Sequence, residues 1–499
     1  TTTPLSTSDP VAAAPVAPGN ITIAAGGSIT VGAGQNAITV DSNNSVTNGG
    51  AIASNDSNNS TGIRINGGFA GTITNSGTIS MLESYVLADT DNDGNLDGTF
   101  ASGTNRHGIY LGPGTFTGNL SSTGAINVEG NNSSGITLDG VLNGDFNSSS
   151  LISVVGDNSA GIRINSGVTG DAIIRGGATV RGTNTSALVI DGQIGGELVI
   201  NGAWNSSGFH SVARPADVSA LDPDDLELGG PTVAIRDNVL GGIVVEGMGV
   251  EDDEDDDNDG VTESQSDPND DASASIVSYG SAPAFLVQAD TSNVTIGTTG
   301  TGFGIHIQGG ISALGVYDNF DAIAMRIEGL GGNTVTIADG VTVDGLVQAT
   351  ATNGDATAIS IGVDSIISEL MVRREITSVV ISDNMQTAYA VVIDAGASVP
   401  SLSNTGTMRA QMLGETGDAV VITDNSNTLA VINNTGTISA QLFATDADLT
   451  DDIPAPPTTG NAVAIDVSGS TIGVTLNQTA DVVFTDEDAV DNDALLRPS

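Results

Sequence analysis

The sequence predicts an all-β chain: a single-stranded parallel β-helix of about 26 residues per coil, interrupted by loop insertions. Three observations predict it. A short phrase returns at a fixed period, the alternation inside each period is two residues, and the composition suits many thin layers better than one thick core.

The phrase is a small residue followed by alternating aliphatics. It reads "AITV" at Ala37, "GIRI" at Gly62, "GIYL" at Gly108, "GITL" at Gly135, "GIRI" at Gly161 and "ALVI" at Ala187. It continues at Ala234, Ala284, Ala324, Ala358, Ala390, Ala419 and Ala462, with a further "GIHI" at Gly304 that reads as an extra, shortened coil. The plain steps, 37 to 62, 108 to 135, 135 to 161 and 161 to 187, are 25, 27, 26 and 26 residues. Self-similarity at such a period marks a solenoid, in which a coil buries its apolar face only by stacking on its neighbours. Within the coil "GIRINGGFAGTITNSGTIS", Ile63 and Ile65 share one strand face, Ile73 falls in a second short strand and Ile79 in a third. Glycine and asparagine corners separate the three. Thirteen such anchors stacked at the strand spacing predict a rod of roughly 60 Å or more. Propellers and sandwiches need longer units built from antiparallel hairpins.

A corner phrase recurs in phase with the anchors: "NSGTIS" from Asn75, "NTGTMRA" from Asn404 and "NTGTISA" from Asn434. It carries no acid, histidine or thiol, so it reads as architecture. Longer steps mark insertions, expected near 81–106, 205–232, 247–275, 363–380 and 444–460 of a β-helix covering 21–485. Residues 1–20 form an extended Pro/Ala/Thr-rich lead-in and 486–499 an acidic tail. "ISELMVRREI", from Ile367 to Ile376, is the one helix candidate.

Composition narrows the function classes. Aromatics make up 3% of 499 residues while hydrophobics reach 38%, mostly small aliphatics. The net charge is −48, and all 12 basic residues are arginine. Nucleic acid and anionic lipid both need a basic footprint, so neither is an expected partner. Such a charge favours solubility and cation binding. With no cysteine there is neither a disulfide framework nor a thiolate metal site. No apolar run is long enough to span a bilayer, so this segment is not expected to insert into a membrane.

Calcium is the cofactor the motifs suggest. "DTDNDGNLDG" sets Asp89, Asp91 and Asp93 at alternate positions, then Gly94 and Asp97. "DDDNDGVTE" repeats the scheme with Asp255, Asp257, Asp259, Gly260 and Glu263. Alternating carboxylates curl around one hard cation and the glycine makes the sharp turn, as at positions 1, 3, 5, 6 and 9 of an EF-hand loop. The bidentate acid of position 12 is missing from both, where Phe100 and Ser266 stand. The run from Glu251 to Asp271 holds 12 acids in 21 residues and repels itself without cations. Catalysis has less support. His107, His210 and His306 are about 100 residues apart and read as turn or surface residues, with His306 in the outward slot that Arg64 holds in "GIRI". Arg64, Arg163 and Arg326 occupy equivalent outward slots of separate coils, not one cluster. No pair of carboxylates at a glycosidase's separation stands out in the repeat strands.

The "NxGTI" corners, the "GIxI" strands, the lack of cysteine and the Gly/Asn/Thr bias resemble the passenger domains of Gram-negative autotransporters. The resemblance covers Ile21 to about Thr485 and implies a right-handed β-helix exported through an outer-membrane barrel. The quoted sequence closes on "DEDAVDNDALLRPS" without an amphipathic-strand barrel, which fits a released passenger or one read without its barrel. The expectation is therefore a secreted, outer-membrane-associated surface protein with a structural or adhesive role and no enzymatic activity. It presents loops to other surface proteins, glycans or copies of itself, is stabilised by calcium, and extends to assembly into a layer or filament. The alternative is a polysaccharide-degrading β-helix lyase or hydrolase.

Overall fold

The computed structural model describes residues 1–499 except 11–16, 91–95, 216, 220, 248–272, 445–457, 480–481, 487–494 and 498–499. No helix occurs among the described residues, and the strands pair with one another in parallel. The chain is a parallel β-helix, in two compact units, Thr1–Gly242 and Ile243–Ser499.

In the first unit each full coil supplies three strands to the long sheets, and two coils add a short fourth, Thr115–Thr117 and Val141–Asn143, which pair with each other. One coil runs Thr61–Ile65, Ile73–Asn75, Thr78–Leu82, and the next runs His107–Leu111, Leu120–Ser122, Ile126–Glu129. Each strand pairs with its counterpart one coil away, so Ile63 lies opposite Ile38 on one side and Ile109 on the other. The result is three stacked sheets around a narrow core. Ile38, Ile63, Ile109, Ile136, Ile162, Leu188 and Val233 form one inward column, all with no exposed surface. Where the third-strand column narrows to Ala178, the next coil supplies Trp204, so large and small side chains alternate to fill the layer.

The small residue that opens each phrase has a steric cause. A Cβ on Gly62 would stand 2.5 Å from the Gly108 carbonyl oxygen and 2.8 Å from the Ile79 side chain. Gly108 and Gly135 meet the same obstruction one and two coils on. The recurring corner has its own cause. A Cβ on Gly77 would fall 2.0 Å from the Gly50 carbonyl oxygen, so the corners stack too closely for a side chain there.

The asparagine of the corner phrase points into the core. Asn48 Nδ2 donates to Asn75 Oδ1 at 2.8 Å, and Asn75 Nδ2 donates to Ser122 Oγ at 3.0 Å. In the second unit Asn404 Nδ2 donates to Asn434 Oδ1 at 2.7 Å, and Asn434 in turn to Gln478 Oε1 at 2.9 Å. Identical amides one coil apart satisfy each other, which lets a polar group sit fully buried.

The second unit follows the same plan with longer strands, such as Gly310–Asp318, Glu375–Ile381, Gln386–Ile393 and Gly417–Asp424. The expected helix at Ile367 to Ile376 does not form. Ser365–Ile367, Leu370–Val372 and Glu375–Ile381 are three strands of one coil, each paired in register with the preceding coil. Residues 363–380 therefore belong to the coil, not to an insertion. The ladder overrides helix propensity because Ile367, Leu370, Val372 and Ile376 all fill inward slots. Phases also shift. Ala419 pairs with Ala388 and Ala462 with Ala419, so both lie two residues before the position that continues the Ala390 column. Val233 pairs with Leu188, which places that anchor two residues before Ala234. "GIHI" belongs to the second sheet, where His306 pairs with Val244 and Thr342.

Candidate functional site

Of the eight expected calcium ligands, the structure describes two. Asp91, Asp93, Asp255, Asp257, Asp259 and Glu263 lie outside the described residues. Asp97 closes the mouth of its loop: it pairs with Ala88 in an antiparallel bridge, and its Oδ2 accepts from the backbone N–H and hydroxyl of Thr90. Asp89 stands beside this closure. No group of three or more His, Asp or Glu side chains able to hold a metal occurs among the described residues.

The insertion between Leu82 and His107 is tied down at its base. Arg106 and Glu83 form an ion pair at 3.0 Å with side chains 2% and 4% exposed. Glu83 also accepts from the backbone N–H groups of Ser102 and Gly103, at 2.8 and 2.7 Å. Arg106 Nε donates to the Ser57 carbonyl at 3.1 Å, and its Nη1 to the Glu129 carbonyl. The guanidinium thus ties three successive coils to the foot of the loop. This loop also meets the insertion that follows Ser207. Phe100 stacks on His210 at 4.2 Å, Gly98 N–H donates to Asp224 Oδ2 at 2.8 Å, and Arg181 donates to the His210 carbonyl at 2.6 Å. Burial pushes the His210 imidazole below its usual pKa, against the opposing pull of Asp224.

A polar groove of about 620 Å³ runs across the first sheet of the same unit. Its floor is the outward slot of successive strands, Arg64, Tyr110, Thr137 and Arg163, each paired with the next. Its edge is a column of asparagines, Asn59, Asn105, Asn132 and Asn158, in left-handed backbone conformation with φ between 52° and 56°. Asparagine tolerates that conformation better than other side chains. The column is chained in part, Asn105 Nδ2 donating to Asn59 Oδ1 at 3.0 Å.

Inside the groove, His107 Nδ1 lies 2.7 Å from Ser134 Oγ. Burial drives the His107 pKa down to about 4; Asp139 opposes the shift, while Arg64 and Arg163 add to it. The Tyr110 hydroxyl donates to Asp139 Oδ2 at 2.6 Å, and burial together with that bond raises its pKa to about 12. Arg64 lies over the Tyr110 ring at 5.0 Å. Asp139 Oδ1 accepts from Asn165 Nδ2 at 2.6 Å. At neutral pH the groove thus offers a neutral imidazole, a protonated phenol, a column of amides and two guanidinium groups.

The structure corrects the reading of the histidines. His210 and His306 are each 5% exposed, and His107 is part-buried in the groove, so none is a simple surface residue. His306 does not share the slot of Arg64; its Nε2 bonds Asp344 Oδ2 at 2.8 Å in the second sheet of the second unit. The three histidines occupy separate surroundings, as their spacing in the sequence suggests. The equivalence of Arg64 and Arg163 is visible in the sequence, whereas the groove between them is not. A signal for it exists: Asn59, Asn105, Asn132, Asn158 and Asn184 each precede an anchor by three residues. No family model, curated protein or solved structure matches the chain.

Proposed function

We propose that the protein is a secreted surface β-helix that works by contact, as a structural or adhesive scaffold of the kind found in autotransporter passengers. Its loops meet other cell-surface proteins, glycans or further copies of itself, and calcium held by the two DxDxDG segments stiffens them. One observation supports this reading above the others: the first unit's two insertions are folded against each other and anchored by the buried Arg106–Glu83 pair and the Phe100–His210 stack. Loops ordered before contact lose less entropy on binding, which suits a contact surface. The test is negative-stain microscopy and adhesion to cells, with calcium and with chelator. Assembly or adhesion that disappears in chelator and returns with calcium is expected. Assembly that persists in chelator with no calcium by elemental analysis removes the metal from the proposal. Neither assembly nor adhesion in calcium overturns the scaffold reading itself.

A further inference from the structure

We propose that the groove across Arg64, Tyr110, Thr137 and Arg163 is a binding site for an acidic oligosaccharide of about four residues, with an anionic group near each end. The proposal goes beyond the scaffold reading and does not require it.

The spacing carries the argument. Arg64 and Arg163 occupy the same outward slot three coils apart, with Tyr110 and Thr137 between them. Three coil steps are about 14 Å. One step is close to the length a pyranose ring contributes to an extended glycan, so an acidic sugar under Arg64 puts the fourth ring under Arg163. Arginine's planar fork takes a carboxylate or sulfate through two parallel hydrogen bonds. The Arg163 side chain has no hydrogen bond or ion pair among the described residues, and the Arg64 side chain donates only to the neutral Asn66 side chain, at 3.2 Å, and lies over the Tyr110 ring, so neither is paired with an acid. Both charges are thus left for a ligand.

The lining supports a sugar over a peptide. Asparagine, serine and threonine side chains offer donors and acceptors to ring hydroxyls, and the groove lacks the apolar pockets that side-chain anchors need. Asp139 is the one acid among the lining residues, and both its oxygens are engaged, by Tyr110 and by Asn165. The chain's net charge of −48 acts from farther away and is screened within about 10 Å at ordinary salt, so the two nearby arginines set the local sign.

The test is isothermal titration of the full chain with tetragalacturonate, digalacturonate, a sulfated heparin tetrasaccharide and neutral maltotetraose. The acidic tetrasaccharides are expected to bind at least about tenfold more tightly than digalacturonate, and maltotetraose more weakly still. Arg163→Gln is expected to bring tetragalacturonate to the level of digalacturonate with little shift of the thermal melt, because that side chain makes no hydrogen bond or ion pair among the described residues. Tighter binding of the sulfated probe assigns a sulfated glycan, and tighter binding of the galacturonate a carboxylated one. Equal affinity for two and four residues, no binding of either acidic tetrasaccharide at millimolar concentration, or an Arg163→Gln variant that binds as well as the parent each overturn the proposal. None of these readouts depends on calcium or assembly, so failure here leaves the scaffold reading standing.

Discussion

The two units use one grammar to make different surfaces. In Thr1–Gly242 the third strands are four or five residues long, and left-handed asparagines, Asn59, Asn105, Asn132, Asn158 and Asn184, each stand two residues before the next first strand. In Ile243–Ser499 the third strands from Gly310–Asp318 to Thr437–Phe443 run to seven or nine residues and the first strands to as many as eight. The short-stranded coils keep their corners in one line, and the groove lies beside that line. The long-stranded coils spend the same residues on additional ladder pairs. Charged contacts differ in the same way. The first unit buries an ion pair under a loop, whereas the second pairs Arg373 with Asp344 at side-chain exposures of 46% and 26%.

That contrast is sharpest for arginine. Arg106→Met leaves the Glu83 carboxylate buried without its cation, a loss worth about 3–5 kcal/mol. Denaturant unfolding of the full chain should show this loss in the first transition that reports on residues 83–106, read by hydrogen exchange. The double variant Glu83→Gln/Arg106→Met should recover most of it, since neither partner is then left charged. Arg373→Met, at an exposed pair, should cost less than about 1 kcal/mol. Equal losses at the two sites would show that burial is not what separates them.

Acid should separate the units next. The His107 pKa is depressed to about 4 from an ordinary 6.5, chiefly by burial. Between those values the unfolded chain holds a proton that the folded chain does not, so stability rises with pH through that window and falls on acidification. The loss saturates near pH 4 at no more than about 3 kcal/mol, reduced where water in the groove screens the charge. His210, also depressed by burial, acts in the same direction. His107→Gln should therefore flatten the slope of stability against pH between 6.5 and 4 by its own share. An unchanged slope would mean that the imidazole is solvated in the groove.

The sequence made the coil legible because every coil must repeat its inward residues. Ile63, Ile109, Ile136 and Ile162 recur in one phase, and the period and corner phase follow from them. The groove was less legible because outward slots carry no such constraint: Thr39, Arg64, Tyr110, Thr137 and Arg163 share a slot and no chemistry. "GIHI" misled for the same reason. Its alternation fits any strand of any coil, and only pairing with Val244 and Thr342 assigns its sheet. The stretch from Ile367 to Ile376 misled because three short strands joined by tight corners place apolar residues at helix-like spacings.

The smallest predicted effect is also the most discriminating, because its sign reverses between the units. Asn132 holds φ at 52° at a groove corner and donates its backbone N–H to the Asp157 carbonyl at 2.8 Å. Asn132→Ala places a less tolerant side chain there and should destabilise by about 1 kcal/mol, while Asn132→Gly should be near neutral. In the second unit the left-handed position falls on Val316, with φ at 57°, where the pairing of Gly310–Asp318 with Leu346–Thr352 slips between Leu314 and Asp318. A β-branched side chain is strained in that conformation. Val316→Asn should therefore stabilise by about 1 kcal/mol, less whatever apolar contact the valine gives up. Thermal melts of the four proteins decide it. A destabilised Val316→Asn would show that the valine's packing outweighs its backbone strain, and that the long-stranded coils tolerate strain which the asparagine corners of the first unit avoid.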